Sequence, residues 1–141
     1  MEKNHHNVVA AVITHAGEVL CMQRGQTKFE YTSYKWEFPG GKIEPGETPE
    51  EALHREIFEE MEMDVQVGRH LATVDYEYPD FRITMAAYLC TPVGGRAFVM
   101  NEHHSYRWLV PSQLSTLDWA AADIGIMEMS LGGANEILRL P

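Results

Sequence analysis

Thr48-Pro49-Glu50-Glu51 opens a helix. Thr48 suits the N-cap, Pro49 suits the first helical position, and Glu51 completes a capping box with Thr48. The spacing predicts a helix over Pro49 to Glu62, with Leu53, Ile57 and Met61 along one apolar stripe. Such a stripe must be laid against another layer, and the flanking segments read as strands. Val8 to Thr14 is apolar and β-branched, and His15-Ala16-Gly17-Glu18 turns it back into Val19 to Arg24. Gly25 to Lys35 reads as a loop, and Trp36-Glu37-Phe38 as a short strand closed by Pro39-Gly40-Gly41. Strands are expected at Val65 to Val67, Leu71 to Tyr78, Phe81 to Cys90, Ala97 to Val99 and Tyr106 to Leu109. Pro111 to Leu114 begins a helical turn. Asp123 is placed to cap a last helix from Ile124 to Leu131, stopped by Gly132-Gly133. Strands before, between and after helices imply an α/β or α+β chain with a mixed sheet. At 141 residues this is the size of one domain, residues 1–141, with enough surface to bury for a core of its own.

Charge is concentrated where the helix is. The chain carries 11 basic and 21 acidic residues, a net charge of −10. Nine of the acids fall between Glu44 and Asp64, opposed only by Arg55, so this window supplies −8. An acidic balance argues against binding nucleic-acid polymers or anionic membranes, which need basic surface. The apolar run behind the polar N-terminus is too short for a membrane helix and lacks secretory flanks. Cys21 and Cys90 form neither a disulfide framework nor a Cys-x-x-Cys pair. The expected location is the cytoplasm.

On a helical wheel Glu56, Glu59 and Glu60 share an arc of about 100° beside the apolar stripe. Glu59 and Glu60 sit in the last turn, where the helix dipole disfavours anions by roughly 0.3–1 kcal/mol each. A solvated acidic face explains Glu50, Glu51 and Glu62 but not acids bordering the buried stripe. A divalent cation would relieve both penalties, and oxygen donors alone suit Mg²⁺, with Mn²⁺ as substitute.

Gly41, Glu47 and the run Arg55-Glu56-Ile57-Phe58-Glu59-Glu60-Met61-Glu62-Met63 resemble the Nudix box, G-x5-E-x7-R-E-U-x-E-E-x-G-U with U bulky and apolar. Eight of the nine specified positions match, the departure being Glu62 where the family has Gly. Glu62 puts the helix end and the next turn in question. Trp36 to Glu44, Tyr76 to Asp80 followed by Ile83-Thr84, Glu102 and Ala122-Asp123 resemble the MutT-type branch. The resemblance implies an α/β/α sandwich around a central mixed β-sheet. It also implies Mg²⁺-dependent hydrolysis of (deoxy)nucleoside triphosphates to monophosphate and pyrophosphate, as in nucleotide-pool sanitation and DNA repair.

By that analogy the metal ligands are the Gly40 carbonyl with Glu56, Glu59, Glu60 and Glu102. Glu47 either ligates through water or holds its loop. Arg55 orients the carboxylates by a salt bridge, and the general base is Glu56 or Glu102. Arg24 is a candidate for phosphate or ribose, against a plain surface arginine. Phe38 and Tyr78 are candidates for stacking on the base, against a place in the core. Asp123 is a candidate base reader where the 8-oxoguanine branch has Asn. Ionised it only accepts, which suits an exocyclic amine such as that of cytosine; protonated it also donates. The expected partner is a small nucleotide, the chain being a monomer or homodimer. Competing readings are an ADP-ribose, nucleotide-sugar or dinucleoside polyphosphate hydrolase, and a non-catalytic nucleotide-binding module.

Overall fold

A computed structural model describes the backbone of residues 3–132 and the side chains through residue 129. Elements follow in the order β1 (Asn4–His15), β2 (Glu18–Gln23), β3 (Trp36–Glu37), β4 (Gly40–Lys42), α1 (Pro49–Met61), β5 (Val65–Glu77), β6 (Phe81–Pro92), β7 (Ser105–Leu109) and α2 (Ala121–Gly132). Short 3₁₀ turns lie at Glu30–Thr32 and Pro111–Thr116. The sheet runs β3-β2-β1-β6-β5, with β4 on β1 and β7 on β2. β1 and β6 are parallel and the other pairs antiparallel, so the sheet is mixed.

The centre of β1 is buried on both faces, which is why it reads as a continuous apolar run. Val9, Ala11 and Ile13 pack with Ala52, Leu53, Ile57 and Met61 of α1. Ala10 and Val12 point the other way, into a cluster with Trp119, Ala122, Ile126 and Met127. Helices on opposite faces of one mixed sheet are the expected sandwich. The capping box forms: Thr48 Oγ1 accepts from the Glu51 N–H at 3.1 Å, and Glu51 Oε1 accepts from the Thr48 N–H at 2.9 Å.

Several expectations are corrected. Gly40-Gly41 does not merely close a strand but begins another, Gly40–Lys42, because the two glycines let it lie against β1, with Gly40 opposite Ala10 and Gly41 opposite Val9. Residues 65–77 form one strand rather than two; the Gly68 to His70 interruption is absorbed by register shifts against β6. Ala97 to Val99 is not a strand, since Val99 donates its N–H to the Met61 carbonyl instead of joining a ladder. The last helix starts at Ala121, so Asp123 lies inside its first turn and does not cap it. Its expected stop at Gly132-Gly133 reaches outside the described residues. Glu62 does not prevent the exit from α1. It takes the left-handed conformation itself, φ 50°, and donates its N–H to the Phe58 carbonyl.

Candidate active site

Helix α1 packs on β4, and the charge of Glu37 on β3 reaches the α1 acids, which makes a patch of acid. β4 lies so close to its neighbours that a Cβ on Gly40 would strike the Val9 carbonyl, and one on Gly41 would strike the Glu56 carboxyl. The missing side chains therefore make room for β1 and for Glu56.

Arg55 organises the exposed half. It grips both oxygens of Glu47 through Nε and Nη2, at 2.7 and 2.9 Å. Its Nη1 reaches Glu56 at 2.9 Å and Glu59 at 3.3 Å, and Nη2 donates to the Lys42 carbonyl. Glu47 also accepts from the Glu44 N–H, so it holds its loop. Its carboxyl is held down at about 2 by the Arg55 bonds and the Glu44 N–H. The Arg55 guanidinium is pushed up in turn by its bonds to Glu47 and Glu56. The pairing is a network across three segments rather than a single i, i+4 bridge.

Glu60 occupies the inner half at 6% exposure. Its carboxyl is pushed up to about 9 by burial, then by the charges of Glu37, Glu56 and Glu102. Among the described residues its Oε2 has no hydrogen-bond partner. Glu56 is also raised, by burial first and by Glu59 and Glu102 after it, against the pull of Arg55. Glu59 is more exposed. Among the described residues no three His, Cys, Asp or Glu side chains close into a ready-made cage. The donor set nevertheless fits a hard divalent cation: the donors are oxygens, and a buried carboxylate oxygen without a partner lies among the charges of other acids.

On the other side of β3, Glu37 bridges Arg24 and His103. Oε1 accepts from Arg24 Nε, and Oε2 meets His103 Nε2 at 2.8 Å. Burial raises this carboxyl, but the His103 and Arg24 contacts outweigh it and leave it below its ordinary value. Arg24 is thus committed to an ion pair rather than free at the surface.

Phe38 and Tyr78 are both buried in the α2-side core. The Phe38 ring lies 4.7 Å from that of Trp119, and the Tyr78 hydroxyl accepts the Ala122 N–H at 2.9 Å. Asp123, 3% exposed, accepts the Phe38 N–H at 3.1 Å. Its carboxyl is pushed up to about 8 by burial and the Glu37 charge, against the Phe38 N–H and Arg24. The shift favours the protonated form, which donates as well as accepts. In that form it offers the same donor and acceptor pair as an Asn amide.

Glu37, His103 and Trp119 were not among the candidates from sequence. Glu37 is an acid between two aromatics in a two-residue strand, a weak local signal. Its partners lie 13 and 66 residues away.

A family model for the NUDIX domain matches residues 3–128. The chain is similar to a CTP pyrophosphohydrolase of Escherichia coli strain K12, 33% identical over 121 residues, which are 86% of this chain and 87% of that protein. It is similar to an 8-oxo-dGTP diphosphatase of Proteus vulgaris, 38% identical over 91 residues, 64% of this chain and 80% of that one. The solution structure of the E. coli ORF135 protein superposes with a TM-score of 0.78 at 29% identity, covering 93% of this chain and 91% of that one.

Proposed function

Because this chain belongs to the Nudix family, we propose that it is a Mg²⁺-dependent pyrophosphohydrolase that cleaves (deoxy)nucleoside triphosphates to monophosphate and pyrophosphate. Cytosine and oxidised nucleotides, the kinds named in the CTP and 8-oxo-dGTP relatives, are the proposed class. The observation that carries the reading is Glu60: a buried carboxyl with an unpartnered oxygen, surrounded by other acids. Folding alone does not favour that arrangement, and a substrate brought in with a divalent cation does.

Glu56, Glu59 and Glu60, with the Gly40 carbonyl and Glu102, would hold the cation. When bound, it supplies charge neutralisation across the phosphate oxygens as water attacks phosphorus. Arg55 sets the Glu56 carboxylate in place and ties it to the Glu47 loop. Glu56 or Glu102 takes the proton of the attacking water, and attack at the β-phosphorus leaves nucleoside monophosphate and pyrophosphate. The buried set of Asp123, Phe38 and Tyr78, with Arg24 beside it, is the proposed nucleoside side of the site. The names of the CTP and 8-oxo-dGTP relatives support this substrate class.

The test is a substrate panel: normal and oxidised (d)NTPs, ADP-ribose and dinucleoside polyphosphates, with Mg²⁺ or EDTA, products separated by phosphorus NMR. Pyrophosphate release from cytosine or oxidised triphosphates, abolished by EDTA, is expected. Faster cleavage of ADP-ribose or dinucleoside polyphosphates refutes the substrate class. Undiminished turnover by Glu60→Gln refutes the role given to Glu60, and binding of nucleotides without release of pyrophosphate or phosphate from any of them refutes the enzyme reading in favour of a binding module.

A further inference from the structure

The loop between residue 99 and β7 is fastened at both sides of Glu102. On one side Asn101 donates its N–H to the Glu60 carbonyl at 3.1 Å and its side-chain amide to the Glu59 carbonyl at 3.2 Å, using acceptors left free at the end of α1. On the other side His103 meets Glu37 on β3, and the His104 N–H donates to the Gln23 carbonyl at 2.8 Å. Glu102 is thereby bracketed, and its charge acts on both Glu56 and Glu60.

The His103 contact has a definite polarity. Glu37 is ionised and can only accept, so His103 Nε2 carries the hydrogen. The ring is nearly buried, with a side-chain exposure of 6%. Its other nitrogen, Nδ1, is buried and has no partner among the described residues. An apolar side chain would fill the same space without orphaning a polar atom. What the histidine adds is a donor aimed at Glu37.

We propose that His103 is a positioning residue: its bond to Glu37 latches the 101–104 loop and sets Glu102 over the Glu56–Glu60 carboxyls. This rests on the reading that Glu102 works in the hydrolysis. The same carboxylate holds Arg24, so β2, β3 and the Glu102 loop are fixed by one group.

The experiment uses the full chain, a triphosphate substrate with Mg²⁺, and amide hydrogen exchange without substrate or metal. His103→Phe keeps a ring but drops the donor; His103→Ala is the second variant if Phe disturbs packing, and His103→Gln restores an N–H. Loss of the latch is expected to lower kcat by about tenfold or more, since small misplacements of a reacting group are expensive. KM should stay within about twofold. Exchange of the His104 amide should speed up about tenfold. His103→Gln should recover most of the rate, and in a Glu102→Gln background His103→Phe should cost nothing further. Equal losses in both backgrounds, a change confined to KM, or unaltered exchange at His104 would overturn the latch. Full activity of Glu102→Gln would instead remove the role given to Glu102, and the latch with it.

Discussion

Replacing Asp123 with Asn tests whether a buried acid in this site is held protonated. The side chain is 3% exposed and its carboxyl is pushed up to about 8. In the unfolded chain it would titrate near the ordinary 3.8. Between these values the folded state holds a proton that the unfolded state has lost. Raising the pH therefore weakens folding, at about 1.4 kcal/mol per unit. From pH 5 to pH 7 this one group should cost the wild type about 2.5 kcal/mol. With an unfolding entropy of about 2.1 cal/mol/K per residue, the chain has roughly 0.3 kcal/mol/K in all, so the cost appears as about 8 °C of Tm. Asn keeps the acceptor for the Phe38 N–H and has no proton to lose. Glu56 and Glu60 shift in the same direction, but they are present in both proteins and cancel in the comparison. The assay is thermal unfolding of wild type and Asp123→Asn across pH 5 to 7 in EDTA. The Asn variant should melt higher at pH 7, and the gap should close by about 8 °C as the pH falls to 5. Parallel curves would refute the claim that Asp123 is neutral in the folded protein.

Other outcomes follow from the same geometry. Glu60→Gln should lose about a hundredfold or more in kcat with Mg²⁺, because several kcal/mol of charge stabilisation depend on the cation; without metal it should unfold at a higher temperature than wild type at pH 7.5, since the orphaned acid is gone. Gly41→Ala drives a methyl into the Glu56 carboxyl, the free end of a flexible side chain; displacement of that carboxyl, read as lost turnover with a stability change of about 1 kcal/mol or less in denaturant melts, is expected. Glu62→Gly relieves a left-handed residue, φ 50°, worth roughly 1–2 kcal/mol before the entropy glycine adds to the unfolded chain. A net rise of about 2–3 °C in Tm, with activity kept, should be seen by calorimetry.

Much of the half proposed to hold the metal was readable in advance. The capping box, the helix and the arc shared by Glu56, Glu59 and Glu60 are set by contacts within one or two turns, so spacing alone reveals them. Even there the burial of Glu60 and the exposure of Glu59 had to be seen, because one helical position decides which neighbour faces the sheet. The left-handed turn at Glu62 was a question in the sequence and an answer in the fold.

The half proposed to face the nucleoside was different. Asp123 looked like a helix cap because Asp ahead of an apolar helix usually is one. Its real partner, the Phe38 N–H, is 85 residues away. Arg24, Glu37 and His103 come from separate segments and meet only because β2 pairs with both β3 and β7. By itself, then, the sequence determined a capped acidic helix, its apolar stripe and the carboxylates beside it, since helical geometry acts over a few residues. Only the tertiary structure decided which acids are buried, which are paired and which keep a proton, because those properties depend on charges and solvent brought together from across the whole sheet.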